Sequence, residues 1–290
     1  MKKVIPLFLA VLTALSALVL VRAADDDKKP LKILLVLGGC CHDYAVQKDI
    51  LKAGVESRIN ATVDIEYSAD TTTEAKFPIY EKDNWAEGYD VVLHDECSAN
   101  ITDPVYLKRI LDAHRAGVPA VNIHCAMHSY RWGNFKEPVE VGGDNAAWYE
   151  MIGIQSTGHG PKEPIDITYT DKKHPITQGL ADWTTIDEEL YNNVQIFDSA
   201  HALASGEQIQ FPKVKKGQKK DPDAVGKKAE AVVAWTNIYG PNKTKIFSTT
   251  IGHFNETVAD DRYLDLVTNG LLWVTDHLSD DGTATEGIRK

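Results

Sequence analysis

The residues His124-Cys125-Ala126-Met127-His128-Ser129-Tyr130-Arg131 set two imidazoles, a thiol, a hydroxyl, a phenol and a guanidinium within eight positions. They follow directly on the apolar run 118–123. In open α/β sheets ligands bind beyond the carboxyl ends of the strands, where loops present such groups. A buried strand that gives way at once to reactive side chains therefore reads as an active-site strand. Three other apolar runs end in the same way, at His42-Asp43, at His94-Asp95-Glu96 and at His253 with Glu256 beyond it, and His159 and the acidic trio Asp187-Glu188-Glu189 add to them from loops.

Imidazole together with carboxylate suits two chemistries. Such donors hold a divalent ion, zinc foremost, with an open position for water. Without a metal the same groups act as general acid and base near neutral pH. The candidate ligands of one divalent ion are His42, His124, His128, His159 and His253, and the candidate catalytic groups are His124, His253 and Glu188. No H-E-x-x-H is present, so any metal site has to be assembled by the fold. His124 and His128 share a face if their segment is helical, whereas a strand-to-helix elbow separates them. Cys125 is a competing nucleophile, but a nucleophile elbow takes small flanking residues, and Ile123-His124-Cys125-Ala126-Met127 has no glycine.

The elements that must position these groups alternate. Runs 31–37, 62–67, 90–93 and 118–123 read as strands, with helices starting after Asp43 and at Asp103-Pro104. Each aspartate is placed to cap the first turn, and proline favours the first helical position. Strands alternating with helices of this length predict βαβ units and a parallel sheet. Beyond Trp132 the pattern loosens into an irregular insertion reaching about Asn192, with strands at 165–169, 231–236 and 245–251. Asp260 caps a closing helix that carries Tyr263, Val267, Leu271 and Val274 on one face. The expected organisation is a single three-layer α/β domain over 31–278 with a mainly parallel sheet, and a polar tail at 279–290. No G-x-G-x-x-G occurs, so no nucleotide cofactor is expected.

Lys2-Lys3, an apolar stretch 4–21 and Val21-Arg22-Ala23 make a secretory signal peptide over 1–23, followed by a polar leader at 24–30. Losing Lys2, Lys3 and Arg22 with it takes the net charge from −11 to −14, which repels nucleic acid and anionic membrane surfaces. After cleavage no membrane insertion is expected, and the location is periplasmic or extracellular. The lysine-rich block 213–228 reads as a solvated loop. Export favours disulfides among Cys40, Cys41, Cys97 and Cys125. Adjacent Cys40 and Cys41 are not expected to pair with each other, and a bridge from one of them to Cys97 is.

The order and spacing of these pieces resemble the ThuA-like (trehalose utilisation) family, which shares the flavodoxin-like fold of class I glutamine amidotransferases. The matching pieces are Gly38-Gly39 with His42-Asp43, Ile123-His124-Cys125-Ala126, the stretch 148–153, His159, His174-Pro175-Ile176-Thr177, Asp187-Glu188-Glu189-Leu190-Tyr191, Ala234-Trp235 and the stretch 249–253. The amidotransferase relatives carry a cysteine where this chain has His124, and their histidine matches His253, so the resemblance does not imply glutaminase activity. It implies a role in saccharide catabolism, on glycosides or keto-glycosides, by a hydrolase or isomerase with a small-molecule saccharide as partner. Tyr44, Tyr130, Arg131, Trp132 and Tyr191 are then candidates for binding the sugar. A noncatalytic saccharide-binding or scaffold protein, and a Cys125-dependent hydrolase, are the competing readings. Cleavage after Ala23 predicts that protein recovered from outside the cytoplasm begins at Ala24. Amino-terminal sequencing checks this, and an intact Met1 in the membrane fraction would instead mean an uncleaved anchor.

Overall fold

The computed structural model describes residues 29–212, 223–288 and 290. The signal segment 1–23, most of the leader and most of the lysine-rich block lie outside the described residues. The first half of the chain forms β1 (Leu31–Gly39), α1 (Tyr44–Arg58), β2 (Ala61–Ser68), β3 (Val91–Cys97), α2 (Pro104–Arg115) and β4 (Ala120–Ile123). The second half forms α3 (Ala147–Ile152), β5 (Ile154–Gln155), β6 (His159–Tyr169), β7 (Trp183–Tyr191), β8 (Gln195–Ile196), β9 (Ala200–Gln210), β10 (Lys227–Tyr239), β11 (Thr244–Thr249), α4 (Asn255–Val258) and α5 (Asp261–Val274).

A continuous apolar run suits a strand covered on both faces, and β1 is one. Ile33, Leu35 and Leu37 join the core beneath α1 and α5, where Leu51, Val55, Tyr263, Val267 and Leu271 lie. Leu34 and Val36 join the opposite core with Tyr106, Leu107 and Ile110 of α2 and Trp148 and Met151 of α3. These are the three layers that the sequence predicts. The main sheet runs β2-β1-β3-β4-β11-β10-β9-β6-β7. The pairings from β2 to β11 are parallel and those from β11 to β7 antiparallel. It follows that only β10 and β6 run against the other seven strands of the sheet. The carboxyl end of β7 and the amino end of β6 thus lie at the same end of the sheet as the carboxyl ends of β1, β3, β4 and β11.

The distal strands curl. Register shifts interrupt β10–β9 around Val232, Ala234 and Trp235, and β6–β7 between His159 and Lys162 and between Pro164 and Asp166. A bulge bends its strand and increases the local twist. Gln208 of β9 holds the bend, its amide donating to the carbonyls of Glu163 at 2.7 Å and Glu188 at 3.0 Å. The expected irregular insertion is corrected here, because its second half is β6 and β7 of the main sheet. The acidic trio lies on β7 rather than in a loop. Strand β9 carries Gly206, where a Cβ would meet Ile165 and Val233 at 2.7 Å; a glycine required by close packing weakens the strand signal in the sequence.

The helix starts also separate. Asp103 accepts from the amides of Val105 and Tyr106, and Asp260 from that of Arg262. Asp43 makes no side-chain cap bond and instead accepts from the Asn255 amide at 2.9 Å. Asp103→Ala is expected to cost about 1 kcal/mol of stability, and Asp43→Ala clearly less. Urea denaturation measures both, and equal losses would contradict the difference in capping.

Candidate functional site

Gly38 and Gly39 carry φ of 140° and 99°. A Cβ on Gly39 would stand 2.3 Å from the Cys97 carbonyl, so only glycine lets β1 leave the sheet this close to β3. The turn that follows delivers His42. At the end of β4, His124 has φ 41°, a left-handed conformation rare outside glycine. It makes the sharp bend into the short 3-10 turn His124–His128. His253 follows β11.

One nitrogen from each of His42, His124 and His253 can be chosen so that all three lie within 4.8 Å of one another. Their partners fix their protons. The His124 Nδ1–H donates to the Thr250 carbonyl at 2.6 Å, leaving Nε2 as an acceptor that faces the Tyr191 hydroxyl at 3.3 Å. The His42 Nδ1–H donates to the His253 carbonyl at 3.3 Å, and His42 Nε2 accepts from the Cys125 thiol at 2.8 Å. Lys162 donates to His253 Nε2. Burial, and then the neighbouring His42, push the His124 imidazole well below its ordinary pKa, so it stays neutral.

Both glutamates of β7 serve this cluster. Glu188, chosen from the sequence as a catalytic group, is fully buried and accepts from the backbone N–H of His253 at 3.0 and 3.1 Å and of Phe254 at 3.4 Å. It fixes the loop rather than facing the cleft. Glu189 is the carboxylate among the imidazoles, with oxygens 3.4 Å from His253 Nδ1, 3.7 Å from His124 Nε2, 3.5 Å from His159 Nε2 and 3.7 Å from Lys162 Nζ. Burial works to raise its pKa, but His253, His159 and Lys162 outweigh that and hold it below its ordinary value. Lys162 had no signal in the sequence beyond its nearness to His159. His42, His253, Cys41 and Asp43, with the 254–256 turn, line an open cleft of about 480 Å³.

The remaining candidates part company. His128 stacks flat on Tyr191, with ring centroids 4.1 Å apart, and its Nε2 bonds Ser156 at 2.9 Å; it lies outside the imidazole cluster, as does His159. Tyr191 is buried between His124 and His128, and Tyr44 is buried beside His42. Tyr130, Arg131 and Trp132 turn away from the cleft. A φ of 51° at Tyr130 redirects the chain, so its phenol enters the opposite core and bonds Glu96. Arg131 lies over Phe135 and bonds the Thr157 carbonyl, and Trp132 packs on that same opposite core.

The cysteines correct the sequence reading. Cys40 and Cys41 form a disulfide with each other, with Cα atoms 3.7 Å apart. A left-handed Cys41, φ 85°, follows the two left-handed glycines and closes this small ring. Cys97 and Cys125 remain thiols. Cys97 Sγ does lie beside Cys40 Sγ, at 3.3 Å. Cys125 is buried, and its hydrogen bond with Cys97 together with burial pushes its thiol well above the ordinary pKa. A neutral, buried thiol supports His42 and is a poor nucleophile.

The third strand end splits between the two faces. Asp95 is buried near Cys125, and burial with that thiol nearby holds its carboxyl well above its ordinary pKa. His94 and Glu96 enter the opposite core. There Tyr80 and Tyr130 donate to Glu96 at 3.1 Å, His94 Nδ1 lies 3.0 Å from it, and His94 Nε2 meets His114 Nε2 at 3.1 Å. His114 Nδ1 in turn donates to the Val118 carbonyl at 2.8 Å.

Fold and site together define a flavodoxin-like α/β domain with a histidine/carboxylate cluster at its strand ends. The family model for ThuA, trehalose utilisation, matches residues 42–274, and the chain belongs to that family. A solved ThuA-like protein from Parabacteroides merdae is similar to it in fold, with a TM-score of 0.57 at 18% identity over 89% of this chain and 92% of that one. A solved GMP synthase protein from Thermoplasma acidophilum is more distant, with a TM-score of 0.44 at 12% identity over 82% and 92% of the two chains. No curated protein matches the chain.

Burial and the adjacent His94 bring His114 down to a pKa of about 3, against about 6.5 in an unfolded chain. The unfolded chain therefore takes up the proton first. Below about pH 6.5 stability falls by up to about 1.4 kcal/mol per pH unit for this group, and the loss stops below its folded pKa. Guanidinium denaturation at pH 7 and pH 5 measures the slope. His114→Gln is expected to flatten it, and an unchanged slope would mean the residue is not buried neutral.

Proposed function

We propose that the chain is an exported enzyme of carbohydrate utilisation that processes a glycoside or keto-glycoside, by hydrolysis or isomerisation, at the cluster of His42, His124, His253 and Glu189. The observation that carries this reading is the meeting of three imidazoles from three separate loops, two of which, His124 and His253, share the Glu189 carboxylate beside an open cleft. The family's description, trehalose utilisation, supports a saccharide as substrate.

The donor set also suits a divalent ion, zinc by ligand type. His253 Nδ1 makes no hydrogen bond and faces the Glu189 carboxylate at 3.4 Å, and His42 and His124 each donate Nδ1–H to a backbone carbonyl, the contact that orients a ligating imidazole. His42, His124 and His253 would hold the ion, which when bound supplies Lewis-acid polarisation of a substrate oxygen. The protein's own groups divide the remaining work. His124, kept neutral, offers Nε2 as an acceptor. In the metal-free alternative His253, set between Glu189 and Lys162, is the group placed to take or give a proton at the cleft. Glu188 holds the His253 backbone in place, and Tyr191 orients His124 through its hydroxyl.

Purified mature protein is expected to contain about one zinc or related divalent ion per chain and to turn over native or 3-keto glycosides. Removing the ion by chelation should abolish turnover. His124→Ala and His253→Ala should lower metal occupancy, and Glu189→Gln should lower kcat by about 100-fold. Full activity without metal would leave a purely acid/base site on the same histidines. Saccharide binding without turnover, indifferent to His253→Ala, would establish the noncatalytic alternative.

A further inference from the structure

The four cysteines gather at the ends of three strands, and the chemistry proposed above does not use the disulfide. Cys97 ends β3, and its backbone pairs with Gly39, one residue before Cys40. That register sets Cys97 Sγ 3.3 Å from Cys40 Sγ. Cys97 is buried and Cys40 half-buried, whereas Cys41 is exposed and lines the cleft beside His42 and His253. A free thiol therefore stands against the inner sulfur of a disulfide whose outer sulfur faces water.

We propose that this cluster is a thiol–disulfide exchange site that isomerises between a Cys40–Cys41 and a Cys40–Cys97 disulfide and presents Cys41 as an accessible thiol in the second form. The Cys97 thiol gives up its proton to water, and its sulfur attacks Cys40 Sγ. The Cys40–Cys97 bond forms as the Cys40–Cys41 bond breaks, and Cys41 leaves as a thiolate that takes up a proton from water. No electrons are gained or lost, so no oxidant or reductant is needed. The outward leaving group favours this direction of attack, because its charge develops in water rather than in the core. In the second form β1 is tied covalently to β3, and Cys41 becomes the point at which a small disulfide or a thiol-directed electrophile reacts. This inference is independent of the reaction assigned to the histidines.

The test is irreversible trapping. Native, oxidised protein is incubated with N-ethylmaleimide in the absence of reductant, then digested without reduction and mapped by mass spectrometry. The expected product carries one maleimide on Cys41 and a Cys40–Cys97 cross-linked peptide, and it accumulates with time. Cys97→Ser, the smallest change at that position, should lose both signals, while Cys125→Ser should keep them. Three outcomes overturn the proposal: Cys41 stays unlabelled on prolonged incubation, it is labelled equally in Cys97→Ser, or Cys40 and Cys41 are labelled together, which is simple reduction.

Discussion

The site depends on one buried carboxylate. Glu188 lies on the outermost strand of the main sheet, with β6, β9 and β10 between it and β11. It nevertheless accepts the backbone amides of His253 and Phe254, just beyond the end of β11. A carboxylate in this position costs several kcal/mol unless it is hydrogen-bonded, so the amides and the carboxylate hold each other in place. Meeting them requires the distal strands to curl, and the bulges of β6 and β10 and the Gln208 amide provide and fix that curl. The same bend carries Glu189 and Tyr191 to the histidines. Without it, the two ends of the sheet would present half a site each.

Orientation of the imidazoles follows a second rule: backbone carbonyls choose the tautomers. Thr250 fixes His124 and the His253 carbonyl fixes His42. Both choices leave Nε2 as an acceptor, a state equally suited to a metal and to a proton. Metal-assisted and metal-free chemistry therefore share one architecture, and what separates them is occupancy.

The parallel half of the fold was legible because its strands are apolar runs that end in chemistry. Strands β1, β4 and β11 fall where runs 31–37, 118–123 and 245–251 lie, and His42, His124 and His253 duly meet. The antiparallel half was legible only in part: runs 165–169 and 231–236 fall within β6 and β10, while β7 and β9 gave no strand signal. Strand β7 buries two glutamates, and seven of the eleven residues of β9 are alanine, glycine, serine or glutamine, so neither offers a clear apolar pattern. Neighbours in sequence also misled. Tyr130 lies six residues past His124 but on the opposite face of the sheet, because the chain turns through a left-handed residue that only the fold could show. For the sulfurs, the nearness of Cys40 to Cys97 was foreseeable from strand register, whereas the bond between adjacent cysteines depends on the left-handed backbone at Cys41.

Strand β11 is the last in the sequence, yet it sits in the middle of the sheet, between β4 and β10. Until it enters, the two halves have no common backbone ladder, and β4 and β10 each present a row of unpaired amides and carbonyls. Open edges of this kind recruit other chains, and pairings between residues distant in sequence form slowly. A chain whose synthesis has not yet reached β11 would therefore hold two half-sheets in waiting. The placement of Thr244–Thr249 between them closes both edges and sets the backbone leading to His253.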